Sequence, residues 1–257
     1  MKKFYSASLL VMGLAAATST YAADDEWKFA IGTGMFMLNT DGDVGFNTNA
    51  FGPVKADATM SFDEISENMD SAAGLGGSAT YGDMTILFKY GQMGLEDSIT
   101  GTTAAGVPVT ANLSFDTVVA ELAAVPVIAR SNGHVFGLLG GLRHTMHDWT
   151  LNLTSGGTSI NRDTGDEWTD VLLGATHAMP INDAWVWSSR VDVGYSDVDT
   201  AYHINSGVNW QFADSWSARF YGDYLKYDYE DGNEGDAGWY LYDTAEYGAG
   251  ATINFNF

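Results

Sequence analysis

Residues 249–257 constrain this chain more than any other stretch. Ala249, Ala251, Ile253, Phe255 and Phe257 are apolar, and the residues between them, Gly250, Thr252, Asn254 and Asn256, are small or polar. A period of two belongs to a β-strand, because successive side chains point to opposite faces of a sheet. This segment therefore carries one greasy face and one wet face.

The same alternation recurs upstream. One face collects Met84, Ile86, Phe88 and Tyr90, then Phe136, Leu138 and Leu142. It continues with Trp185, Trp187, Val191, Val193 and Tyr195, and with Tyr202, Ile204, Val208, Trp210 and Phe212. A face this apolar requires a solvent as greasy as itself, which argues against a soluble β-sandwich with polar outer faces. Hydrocarbon offers backbone groups no partners, so a sheet that spans it must close on itself. The fold class that follows is all-β, an antiparallel transmembrane β-barrel. Ten strands are expected, with eight or twelve left open. They fall at 27–38, 71–81, 84–95, 111–129, 134–153, 168–179, 184–196, 201–212, 216–229 and 239–257. Turns such as Gly82-Asp83 and Asn132-Gly133 alternate with longer loops. The longest excursion, 39–70, holds an extended piece at 54–60. It also holds Ser61 ahead of Asp63 and Glu64, which predicts a capped short helix through Met69 in the first extracellular loop. Phe62, Ile65 and Met69 give that helix an apolar face suited to fold back over the barrel mouth.

The opposite faces of the strands carry charge. In phase with the alternation they bear Lys89, Glu121, Arg143, Asp170, Arg190, Asp192, Arg219, Asp223 and Glu246. The sign changes around the barrel although the chain as a whole has a formal net charge of −22. An isolated buried charge is costly, so these residues predict ion pairs filling a narrow lumen, with Asn205, Asn209, Gln211, Thr252 and Asn254 adding neutral hydrogen bonds. A network of this kind is either a self-satisfied polar core or the lining of an ion path. Wide aqueous channels need about 16 strands, which favours the polar core.

Composition narrows the functions. The chain has no Cys, which excludes disulfides, thiol nucleophiles and thiolate metal sites. Its 33 acidic residues against 11 basic ones exclude nucleic acid as a partner. At the N-terminus Lys2 and Lys3, an apolar run over 9–17 and Thr20-Tyr21-Ala22 read as a signal peptide of residues 1–22, too short to span the roughly 30 Å of a bilayer core. Residues 23–257 then form a single barrel domain.

From Asp170 onward the chain resembles small Gram-negative outer-membrane barrels, OmpA/OmpW-like and without a periplasmic domain. The resemblance rests on Asp170-Val171-Leu172-Leu173-Gly174-Ala175, on 187–194, on Tyr221 to Tyr229 and on the aromatic final strand; Trp27 and 61–65 match the family's first strand and loop. The family pattern has Arg where this chain has Asp223. The resemblance implies residence in the outer membrane, a monomer, contact with outer-membrane lipid and lipopolysaccharide, and delivery by the barrel assembly machinery. It also implies that Ile253, Phe255 and Phe257 are the assembly signal.

The residue types admit three chemistries. His144, His147 and Asp148 offer the side chains of a hydrolase at a strand top, yet alternation sends 144 and 147 to opposite faces. His203 and Ser206 divide in the same way. Asp41 with Asp43, and Asp228, Glu230, Asp231, Asn233, Glu234 and Asp236, are oxygen-rich runs where a calcium ion would bind loosely, without EF-hand spacing. The expectation is a non-enzymatic barrel, structural or surface-interacting, with no catalytic residue, metal or cofactor. The alternative is a narrow porin-like channel, and the distant one a rim-site hydrolase.

Overall fold

A computed structural model describes residues 26–48, 52–102, 108–155, 158–196 and 199–257. The expected signal peptide, 1–22, lies outside the described residues. Ten strands close a barrel: β1 (Lys28–Thr48), β3 (Met69–Tyr81), β4 (Met84–Thr102), β5 (Pro108–Ser131), β6 (His134–Ser155), β7 (Thr158–Pro180), β8 (Trp185–Tyr195), β9 (Asp199–Ala213), β10 (Trp216–Asp231) and β11 (Tyr240–Asn256). Each pairs antiparallel with its chain neighbour, and β11 returns to β1 from Ala30↔Asn256 to Phe46↔Tyr240. An additional strand, β2 (Gly52–Asp57), folds back on the upper end of β1.

Short turns tie the strands at one end. Asn132 and Gly133 both hold positive φ, at 52° and 82°, with Ser131 opposite His134. This is the two-residue Asn-Gly hairpin whose twist matches that of the strands. Gly82 supplies φ of 54° in the β3–β4 turn. Asn182 closes the β7–β8 turn by accepting from the amides of Ala184 and Trp185 at 2.9 and 3.0 Å.

The strands run further than the hydropathy pattern predicts. β1 was expected to end at Leu38 and continues to Thr48; the segments 96–110 and 155–167, expected as loops, are mostly ladder. The cause is that these upper segments stand above the apolar belt. Outward residues such as Asp41, Asp43, Glu96 and Asp163 are polar and exposed there, so the apolar alternation fades while backbone pairing persists. β6 has 22 residues, about twice the 9–11 that cross a bilayer. The barrel thus rises as a wall beyond the membrane.

The outer surface shows the belt directly. Met35, Leu122, Leu138, Leu142, Leu173, Val191 and Ile204 are exposed in an apolar band. Trp27, Phe29, Tyr81, Phe136, Trp210, Phe212, Trp216 and Phe257 ring its short-turn end, and Tyr90, Tyr195, Tyr202, Tyr224 and Tyr247 ring the other. Aromatic girdles at two interfaces are the mark of a lipid-facing barrel.

The single helix, α1 (Phe62–Asn68), begins with a capping box: Glu64 N–H donates to Ser61 Oγ at 3.4 Å, and Ser61 N–H donates to Glu64 Oε2 at 2.8 Å. The Ser61 backbone amide holds the Glu64 carboxyl below its ordinary value of 4.5, with help from the Ser61 hydroxyl. Mutual bonds between Thr40 and Met60 at 2.9 and 3.0 Å, and Phe62 N–H donating to Asn39 Oδ1 at 3.0 Å, tie the helix to β1. Its Ile65 points into the barrel and is 1% exposed, against Phe36, Leu38, Met93, Val119 and Tyr221.

Candidate functional site

The lumen is the only continuous run of buried ionic chemistry among the described residues. Inward parity brings Glu121 of β5, Arg143 of β6, and Arg190 and Asp192 of β8 to one level. Arg143 reaches Glu121 at 3.2 Å and Asp192 at 3.3 Å. Arg190 reaches Glu121 at 2.6 Å and also holds Asp192 through Nε. The four form a closed ring, cation and anion in alternation, and every side chain in it is at most 1% exposed. Two guanidinium forks suit this arrangement, because each donates to two carboxylates at once.

His203 carries the network onward. It lies between Asp192, at 2.9 Å from Nδ1, and Asp223, at 3.0 Å from Nε2. Asn205 also donates to Asp223. Arg219 has no carboxylate within 4 Å among the described residues. It donates instead to Ser188 Oγ, to Asn205 Oδ1 and, at 3.5 Å, to Asn209 Oδ1. Arg219 also lies 5.7 Å from the centre of the Tyr221 ring, which stacks on Phe36.

The nine charged residues read from the sequence therefore divide. Glu121, Arg143, Arg190 and Asp192 make the ring, Asp223 joins through His203, and Arg219 joins through neutral partners. Lys89 sits opposite Glu121 in the β4–β5 register and Asp170 opposite Arg143 in the β6–β7 register, both buried, but neither makes an ion pair within 4 Å among the described residues. Glu246 stands apart and accepts from the Tyr242 hydroxyl at 2.9 Å. Among the neutral residues, Asn205 and Asn209 belong to the network, whereas Gln211 caps the β9–β10 turn by donating to the Ala213 and Asp214 carbonyls at 2.6 and 3.1 Å. Thr252 and Asn254 are buried below it. Charge alone does not point to His203 and Ser188, yet both share the inward parity, His203 with Asn205 and Asn209 and Ser188 with Arg190.

Above the ring, β6, β7, β10 and β11 contribute an aromatic storey. His147 donates or accepts with the Tyr240 hydroxyl at 3.0 Å, and Trp149 Nε1–H donates to the same oxygen at 3.1 Å. His147 also meets the edges or faces of Phe115, Trp168 and Tyr242. The hydrolase candidates do not assemble: His147 is enclosed in this storey, while His144 is on the outer face with Thr169 at 3.0 Å. His203 is in the network, and Ser206 is outside it with Trp187 and Ser189. Several members of the acidic runs have partners of their own, Glu230 with Trp239 at 2.9 Å, Glu234 with Lys55 at 3.7 Å and Asp236 with Asn233 at 3.0 Å. Among the described residues no three of His, Asp and Glu converge as metal ligands.

Two spaces flank the ring. A vestibule of about 1320 Å³ opens at the short-turn end, lined by residues such as Lys28, Asn182 and Gln211. A chamber of about 150 Å³ lies beside α1, lined by residues such as Leu38, Met93 and Phe115. They share no lining residue.

No protein-family model matches the sequence, and no curated protein matches it. Solved structures do match in shape. The outer-membrane protease OmpT of Escherichia coli superposes with a TM-score of 0.56 at 11% identity, over 94% of this chain and 100% of that one. The translocator domain of the autotransporter NalP of Neisseria meningitidis matches with a TM-score of 0.44 at 11% identity, over 91% and 90%. The first likeness shows the fold. With the closed ten-stranded sheet, the apolar belt and its two aromatic girdles, the chain is an outer-membrane β-barrel of the Gram-negative type.

Proposed function

We propose that this protein is a non-enzymatic outer-membrane barrel, close in kind to the small OmpA/OmpW-like barrels, whose lumen is a plug and whose work is structural or done at its outer surface. The observation that carries this is the closed Glu121–Arg143–Asp192–Arg190 ring, with side chains at most 1% exposed. An ion pathway needs charged groups that a hydrated ion reaches and leaves. Here each charge is already held by two opposite charges. The vestibule on one side and the chamber on the other support the same conclusion, since the ring stands between two spaces with no common wall residue. The nearby wall is packed with Leu87, Ala123, Val125, Leu139 and Leu172, which leaves little room for a path around the ring.

The enclosed position of His147 and the outward position of His144 and Ser206 support the non-enzymatic assignment. The tall strand wall beyond the belt supports an outward role. Its exposed carboxylates, among them Glu96, Asp116, Asp148 and Glu167, suit bridging through divalent cations to lipopolysaccharide phosphates. Liposome swelling tests the plug: vesicles carrying the folded protein are expected to resist isotonic small sugars and amino acids as empty vesicles do. Swelling that depends on the protein contradicts it and favours a channel.

A further inference from the structure

We infer that the chamber beside α1 is a binding site for a small primary amine with a compact apolar body, of the size of benzylamine. This goes beyond the plug and does not depend on whether the lumen conducts.

The first ground is shape. The chamber encloses about 150 Å³, and its walls include Leu38, Met93 and Phe115, with Ile65 of α1 closing one side. A cavity of about this volume with an apolar wall holds a benzene-sized molecule, and here Thr40, Asn68, Thr117 and Glu246 add polar groups to that wall. The lining here comes from six separate elements, β1, α1, β4, β5, β6 and β11, and α1 is brought against the strands by the fold-back of the first loop.

The second ground is charge. Glu246 also lines the chamber and is partly buried. It accepts a hydrogen bond from the Tyr242 hydroxyl at Oε1, at 2.9 Å. Among the described residues no Lys, Arg or His nitrogen lies within 4 Å of it, as is also true of Asp170, whereas Glu121, Asp192 and Asp223 each have a cation or a His at that range; Lys89 and Arg143 act on Glu246 only from farther away. A carboxylate in such surroundings favours a ligand that brings its own cation. An ammonium fits that need, and Asp97, at the margin of the same chamber, adds to the negative field. An apolar molecule without a donor leaves Glu246 as it is, and a carboxylic acid adds a like charge.

The test uses the folded barrel in lipid nanodiscs, with empty nanodiscs as the control for partition into lipid. Fluorine NMR follows a fluorinated benzylamine, the matching fluorotoluene and the matching fluorobenzoate. The amine is expected to bind saturably, the toluene more weakly and the benzoate not at all. Glu246→Gln is expected to weaken the amine by about thirty-fold or more, the loss typical of a buried charge left without its partner. Thr117→Phe, which fills the chamber from β5, is expected to abolish amine binding. The inference is overturned if the parent binds no amine beyond the empty nanodisc, if amine and toluene bind alike, or if either variant binds the amine as the parent does. Should Glu246→Gln fail to show the heat-shifted gel mobility of a folded barrel, the order of the three ligands on the parent still decides the matter.

Discussion

Glu121 shows how much one residue holds in this lumen. It touches Arg143 at 3.2 Å and Arg190 at 2.6 Å and is 1% exposed as a side chain. Glu121→Ala leaves two buried guanidiniums with Asp192 as their shared anion, and breaking such a buried network typically costs about 3–5 kcal/mol. Urea unfolding in lipid vesicles, followed by tryptophan emission, is expected to show a loss of that size; a variant as stable as the parent means that water already reaches the ring. Gly250 offers a second test. A Cβ there would meet Tyr221 Cζ at 2.4 Å, and Tyr221 is stacked on Phe36 with centroids 6.0 Å apart. Gly250→Val is expected to destabilise by about 1–3 kcal/mol through overpacking, measured in the same assay, and Gly140→Ala, where a Cβ meets nothing within 4 Å, serves as the milder comparison. What was legible at this scale was the face each residue takes, because parity is local. The pairing was not. Whether Arg219 meets a carboxylate or Ser188 and Asn205 depends on the stagger of strands around the barrel, and no single strand encodes that.

At the scale of the element, α1 was legible from Ser61 and Glu64, since a capping box is written in four consecutive residues. Its insertion into the barrel was foreshadowed only by the apolar spacing of Phe62, Ile65 and Met69. Ser61→Ala removes the cap and the hydroxyl that donates to Glu64, leaving the backbone amide in place, and is expected to speed amide hydrogen exchange across 62–68 by about fivefold, with the barrel strands unchanged. Acid should act on the same element. Because the folded carboxyl of Glu64 lies below its ordinary 4.5, its contribution is present above that value and is lost as pH falls through the lowered one. Protection of 62–68, taken relative to the intrinsic exchange rate at each pH, should therefore fall on acidification below about pH 4.5, and Glu64→Gln should flatten that response. The lengths of β1, β5, β6 and β7 were not legible. Above the belt Asp41, Asp43, Asp148 and Asp163 face water on a wall that has an aromatic filling, so outside and inside no longer differ in a way hydropathy detects. Backbone pairing continues without that signal.

The whole molecule is three zones stacked along one barrel. A vestibule with an aromatic girdle meets the inner interface, a ring of buried charge fills the middle, and an aromatic storey with the α1 chamber closes the outer half. Trp27, Trp185, Trp187, Trp210 and Trp216 lie toward the short-turn end of the belt, while Trp149, Trp168 and Trp239 stand inside the upper wall. The barrel's closure was legible from the greasy alternation, because a lipid-facing sheet with an open edge is not viable. The proposed occlusion of the lumen depends on how residues of strands from β5 to β10 meet across it. Single-channel recording of the refolded protein in a planar bilayer tests that occlusion most directly. The account predicts silence for the parent and intermittent conductance for Glu121→Ala, as water enters a ring short of one anion. Steady openings of the parent would contradict it and would make Arg143, Arg190 and Asp192 the lining of a pore.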